Sequence, residues 1–239
     1  MKICCLVGES GSGKSTLTTA LTQMSLHAKR LVTYTTRPPR VGEVHGVDYY
    51  FVTEDELKAM DNVVVKEDFP PMGSFAVVDD GQVDKRSRTA VYLVDGSLTR
   101  AQALVKYYGE KHVVVVHVYL DDETRLLRMC GRAMAGDHNY VEVCRRFLAD
   151  KKDYAPAQFA AHGLRDERLV NISLETTTRE LADILGLRTV ALQKELPLSN
   201  NETVAMMTGR RLRGSEHERQ QRSNRSGDGH QGTRSRSRR

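Results

Sequence analysis

The stretch Gly8-Glu9-Ser10-Gly11-Ser12-Gly13-Lys14-Ser15-Thr16 constrains the fold more than any other feature of the chain, because it fits the pattern G-x-x-x-x-G-K-[ST]. Such a loop works only where a buried strand delivers it and a helix leads away from it. Here the apolar run Ile3 to Val7 precedes it and the helix-like stretch Lys14 to Leu26 follows. Glycines let backbone N–H groups curl around phosphate oxygens, and the helix N-terminus adds positive potential. In that setting Lys14 reaches the β and γ phosphates of a nucleotide and the Ser15 hydroxyl ligates Mg²⁺. A glycine-rich turn that carries Lys-Ser by chance is the competing reading, and the strand-loop-helix context weighs against it.

Beyond the loop, apolar runs alternate with helical patterns. Ile3 to Val7, Leu31 to Thr35, Ala90 to Asp95, Val113 to Leu120 and Leu169 to Leu174 read as strands. Lys14 to Leu26, Ser97 to Tyr108, Asp121 to Arg132, Tyr140 to Lys152 and Thr176 to Leu185 read as helices, several opening on a capping residue. Strands separated by helices pair in parallel, which predicts an α/β three-layer fold. Between the second and third core strands the rhythm breaks. Asp48 to Val52, a Thr53-Glu54-Asp55-Glu56 capping box, Val63 to Lys66 and Phe75 to Val78, followed by an Asp80-Gly81 turn, predict a small β-rich insertion over about 34–82.

A hydrophobic content of 39% supports a real core, and the formal charge of +5 is misleading about its surface. Ten arginines against three acidic residues lie between Arg210 and Arg239, so the rest of the chain is slightly acidic. We expect 1–187 to be the folded domain and 188–239 a disordered basic tail, because the tail's composition offers little apolar surface to bury. With no aromatic residue at its basic end, the tail supports weak, non-specific polyanion contact or simple solvation. Cys4, Cys5, Cys130 and Cys144 show neither metal-ligand spacing nor a disulfide framework. No segment approaches the roughly 20 apolar residues of a membrane helix, and a cytoplasmic protein is expected.

A second anion site is implied by Arg37-Pro38-Pro39-Arg40, two guanidinium forks on a rigid bridge, with Thr33 and Tyr49 as hydroxyl partners. A third group, Arg128, Arg132, Arg145 and Arg146, straddles a segment with glycine, asparagine and aspartate between two helices. A hinged lid over about 132–141 would carry such arginines onto the phosphates. Arg125 and Arg128 also suit a solvated role beside Asp121, Asp122 and Glu123. Asp95 suits either a metal-water contact or the cap of the helix beginning near Ser97.

Thr35-Thr36-Arg37-Pro38-Pro39-Arg40, then Gly42-Glu43, Gly46, Asp48-Tyr49 and Phe51, all after the glycine loop, resemble the guanylate kinase family over roughly residues 1–187. Asp79 to Gln82 and Cys144 to Asp150 resemble its compact bacterial or phage members. The resemblance implies a five-stranded parallel core, a GMP-binding insertion and a mobile lid. It implies that Thr33, Arg37, Arg40 and Tyr49 hold the GMP phosphate and that Glu67 meets the guanine edge, with Asp95 beside it. Lys14, Arg37, Arg132 and Arg146 are then the catalytic groups. Two departures stand out: the family's Gly-Asn-x-Tyr-Gly-Thr segment is Pro71 to Ala76 here, and its Asp-x-Asp is Val94-Asp95-Gly96-Ser97. The expected reaction is ATP- and Mg²⁺-dependent phosphorylation of GMP, and of dGMP, by in-line transfer. The alternatives are a kinase for another phosphorylated acceptor such as a ribose phosphate, and an inactive guanylate-kinase-like or RNA-associated binding module.

Overall fold

Ile3 to Val7 are buried without exception, the condition of a strand covered on both faces. The computed structural model describes residues 1–190 apart from Val41, Pro71 and Asp137. Along it run β1 (Lys2–Val7), α1 (Lys14–Met24), β2 (Ala28–Arg30), β3 (Thr33–Thr35), β4 (Tyr49–Phe51), α2 (Glu54–Lys58), β5 (Val63–Phe69) and β6 (Gly73–Val78). There follow β7 (Val91–Gly96), α3 (Leu98–Tyr108), β8 (Val113–Tyr119), α4 (Asp122–Met134), α5 (Tyr140–Asp153), α6 (Pro156–Ala161), β9 (Arg168–Val170) and α7 (Leu174–Leu185).

The core sheet has the order β2-β7-β1-β8-β9 and is parallel throughout. Alternation along β1 assigns its two faces. Cys4 and Leu6 pack with Leu17 and Leu21 of α1 and with Leu181 and Leu185 of α7. Ile3, Cys5 and Val7 pack with Leu98, Ala101 and Leu104 of α3 and with Phe159 of α6. Each such fully buried side chain contributes about 1.5–3 kcal/mol of transfer free energy. The chain leaves β1 towards β7 and β2 on one side and continues through β8 and β9 on the other. The crevice beyond the carboxyl end of β1 is therefore the switch point where ligands settle in open α/β sheets.

The second sheet, β4-β3-β6-β5, is mixed: β3 runs parallel to β4, whereas β6 is antiparallel to both β3 and β5. Thr53 and Glu56 form the reciprocal capping box expected for α2, and Leu57 anchors that helix on Ala76 and Val78.

Three readings of the sequence need correction. The run Leu31 to Thr35 is not one core strand, because the core ladder ends as Leu31 N–H donates to Leu93 O at 2.8 Å. The side-chain amide of Gln82 then takes both backbone groups of Val32, at 2.9 and 3.0 Å, and Thr33 begins a strand of the other sheet. The core strand there is β2, which the sequence pattern missed, as it missed α6. The run Leu169 to Leu174 is also split, since β9 ends at Val170 and Leu174 is already the first residue of α7. Finally, α1 stops at Met24, and Leu26 is 97% exposed rather than part of the helix's apolar face. The basic tail lies outside the described residues from position 191 onward.

Candidate active site

The glycine loop curls between β1 and α1 as close packing dictates. Gly8 has φ 140°, and a Cβ there would sit 2.5 Å from Val118 O on β8. Gly13 has φ 97°, and a Cβ there would overlap the Asn171 amide. No side chain caps α1, which leaves its first-turn N–H groups for an anion. The Lys14 ammonium folds back onto the loop, donating to Gly8 O at 2.7 Å and Glu9 O at 3.0 Å. Desolvation lowers its pKa against the opposing charges of Asp95 and Asp150. The hydroxyl of Ser15, exposed on the first turn of α1, has no hydrogen-bond partner among the described residues.

The loop is propped from three sides. Asn171 Nδ2 donates to Ser12 O at 2.7 Å. The Ser10 N–H donates to Asp150 Oδ2 at 2.7 Å, and Arg146 Nη2 donates to the Ser10 hydroxyl at 3.0 Å. Arg125 Nε donates to Ser10 O at 3.1 Å, and Arg128 Nη1 to Gly11 O at 3.1 Å. The solvated role considered for these two arginines is thereby overturned: Arg125 is 0% exposed and Arg128 is buried. Arg125 does pair with Asp122 at 2.9 Å, but it spends its other donors on the loop and on Asp150, at 3.3 Å. Beneath the loop, buried His117 stands between two carboxylates, with Nε2 3.2 Å from Glu9 Oε2 and Nδ1 2.5 Å from Asp166 Oδ1. Burial alone would raise the Glu9 carboxyl, yet the hydrogen bond with His117 and the charge of Arg125 hold it below the usual range.

Across the crevice, Thr33, Tyr49, Thr18 and Asp95 line a polar cleft. Arg37 lies over the Tyr49 ring, 5.4 Å from its centroid. Its Nη2 donates to both oxygens of Glu43, at 2.8 and 2.9 Å, so Glu43 fixes Arg37 and also accepts the Arg40 N–H at 2.7 Å. Desolvation, then the charges of Arg37 and Arg146, lower Arg40. Desolvation, then the charges of Arg146 and Arg40, lower Arg132, although part of that side chain stays in water. Arg40, from the insertion, is thus within electrostatic reach of Arg132 of α4 and Arg146 of α5, a like-charge repulsion that a bound anion relieves.

The cap considered for Asp95 falls to another residue. Ser97 caps α3 by accepting the Arg100 N–H, at 3.0 Å, while Asp95 accepts the Thr18 hydroxyl at 2.8 Å. Glu67 is buried on β5 with Arg100 Nε 2.9 Å from its Oε2 and the Ser97 hydroxyl donating to its Oε1. In the altered segment, the Ser74 hydroxyl contacts Glu54 and Asp68 instead of the cleft.

Sequence reasoning missed Asn171, His117 and Arg100. His117 left a faint signal, as the one histidine inside the apolar run Val113 to Leu120. Asn171 and Arg100 left none, since their partners lie on distant elements.

A phosphate-binding loop at the switch point of a parallel sheet, facing an inserted arginine pair and a helical pair that carries two more, defines a P-loop nucleoside monophosphate kinase. Residues 1–69 match the family model described as guanylate kinase. Among curated relatives, the guanylate kinase of Streptomyces coelicolor is 32% identical over 185 residues, covering 74% of this chain and 86% of that protein. The guanylate kinase of Streptomyces kasugaensis is 30% identical over 185 residues, covering 75% and 84%. A shorter stretch of 51 residues is 51% identical to the guanylate kinase of Geobacter metallireducens, covering 21% of this chain and 25% of that protein. The crystal structure of guanylate kinase from Anaplasma phagocytophilum shares the fold, with TM-score 0.55 and 18% identity over 88% of this chain and 96% of that one. The chain belongs to the guanylate kinase family. Among the described residues no helix is long and apolar enough to cross a membrane.

Proposed function

We propose that the protein transfers the γ-phosphoryl group of ATP to the phosphate of GMP, and of dGMP, yielding the diphosphate. The observation that carries this reading is the uncapped start of α1 behind the glycine loop, where Lys14 bonds Gly8 O and Glu9 O, Arg146 bonds the Ser10 hydroxyl, and Thr18 of α1 lines the same cleft as Thr33 and Tyr49.

In this reading the loop Gly8 to Thr16 cradles the donor phosphates with its N–H groups. Lys14 exchanges its two carbonyl partners for phosphate oxygens and follows the γ group through transfer. Thr33, Arg37, Arg40 and Tyr49 hold the acceptor phosphate in line, with Arg37 kept in place by Glu43. Arg132 and Arg146 neutralise charge as the lid over 132–141 closes and water leaves. Glu67 accepts from guanine N1–H and the 2-amino group. The Ser15 hydroxyl and the Asp95 carboxylate are hard oxygen donors suited to Mg²⁺, which prefers water and phosphate oxygens for its remaining positions. When bound with ATP, that ion neutralises the β- and γ-phosphate oxygens. An inactive binding module has no use for Lys14, Ser15, Arg37, Arg40 and Arg132 together.

A coupled assay with GMP, dGMP, AMP, UMP and ribose 5-phosphate as acceptors tests the reading. GMP is expected to exceed AMP by at least about 10² in kcat/KM, because a carboxylate facing the adenine N1 lone pair is a desolvated charge without a donor. Equal turnover of AMP and GMP, or a preference for the ribose phosphate, would remove the assignment.

A further inference from the structure

The acceptor side holds a buried charged pair that the resemblance did not lead us to expect. The side chains of Glu67 and Arg100 are each 7% exposed and meet at 2.9 Å. Arg100 Nη1 donates to Asp95 O at 2.8 Å, whereas Nη2 has no hydrogen-bond partner among the described residues. Burial and the charge of Asp95 push the Tyr49 phenol up, and the Arg100 guanidinium opposes that rise in part. Because Asp95 lines the cleft together with Tyr49, the bond from Arg100 Nη1 to Asp95 O puts Arg100 at the edge of that cleft.

The guanine edge presents a carbonyl acceptor, O6, beside a donor, N1–H. Glu67 supplies an acceptor only, so the carbonyl needs a donor from elsewhere. The segment Met72 to Ala76 has no side-chain donor to spare, since its one hydroxyl, that of Ser74, contacts Glu54 and Asp68. We propose that Arg100 reads the base: its Nη2 donates to O6 while Glu67, steadied by Arg100 Nε and Ser97, accepts from N1–H. The inference rests on the acceptor assignment above and deepens it. The pair selects 6-oxopurine nucleoside monophosphates as a class, because adenine reverses the pattern with a donor at C6 and an acceptor at N1. Arg100 is then a specificity residue, and its bond to Glu67 sets the donor and the acceptor side by side.

The test compares GMP with 6-thio-GMP, which keeps N1–H and replaces the carbonyl oxygen with a poorer acceptor. Wild type, Arg100→Lys, Arg100→Met and Arg100→Met/Glu67→Gln are assayed, the double variant sparing the fold an unpaired buried carboxylate. Wild type is expected to favour GMP by about tenfold or more in kcat/KM, as befits one charge-assisted hydrogen bond. Arg100→Met and the double variant should bring that ratio near one, chiefly through a higher KM for GMP with KM for ATP unchanged, and Arg100→Lys should restore part of it. If the variants lose GMP and 6-thio-GMP activity in equal proportion, or if wild type does not distinguish the two, Arg100 does not read the carbonyl, and the acceptor assignment stands. A wild-type protein that turns over no GMP overturns both.

Discussion

Asp150 of α5 accepts the backbone N–H of Ser10 at 2.7 Å, so a helix more than a hundred residues along the chain holds the phosphate-binding loop directly. The same carboxylate pairs with Arg125, whose side chain is wholly buried. Helix α5, the loop and Arg125 of α4 thus meet at one carboxylate.

Replacing that carboxylate tests the coupling. Asp150→Ala leaves the Ser10 N–H without its acceptor and Arg125 with one partner fewer, which is expected to lower stability by about 1–3 kcal/mol. KM for ATP should rise more than KM for GMP, because the loop belongs to the donor side. Urea unfolding and initial-rate kinetics on the same preparation check both, and an unchanged ATP KM would show that Asp150 serves stability alone.

Glu9 makes a prediction about acid. Its carboxyl is held below the usual carboxylate range in the folded protein, where the His117 hydrogen bond and Arg125 outweigh the raising effect of burial. A depressed folded pKa means that stabilisation is fully present above the unfolded value, about 4.3, and is lost as pH falls through the folded one. Wild type should therefore lose stability more steeply than Glu9→Gln as pH is lowered from about 5. Urea midpoints measured for both proteins across that range decide it, since parallel pH profiles would mean that the contact with His117 contributes nothing to linkage.

The parts of this molecule that could be read from the sequence are those whose chemistry is local. The loop from Gly8 to Ser15 is one continuous string between a strand and a helix, and the capping box at Thr53 and Glu56 spans four residues. What escaped depends on residues brought together by the fold. Leu31 and Val32 look like strand interior, and only Gln82, 50 positions from Val32, divides the run between two sheets. Arg125 carries an acidic neighbour three residues away, as a solvated helix arginine would, and its burial against Ser10 and Asp150 leaves no local trace. The resemblance pointed to Glu67 but gave no sign of Arg100, the partner that holds it 33 residues on.

The basic end of the chain yields a simpler expectation from composition. Ending the chain after Glu195 should leave Tm and kcat nearly unchanged and reduce only salt-dependent retention on heparin. A shortened chain that misfolds or loses turnover would assign the tail to the folded domain.

The most direct test of the account is to follow the phosphoryl group itself. ³¹P NMR of the protein with ATP, Mg²⁺ and GMP should show GDP and ADP appearing in equal amounts. In a folded Lys14→Ala protein that rate should fall by about 10²–10³, the loss typical of removing one transition-state donor. ADP accumulating without GDP, or GDP formed at near wild-type rate by Lys14→Ala, would contradict phosphoryl transfer from this loop to GMP.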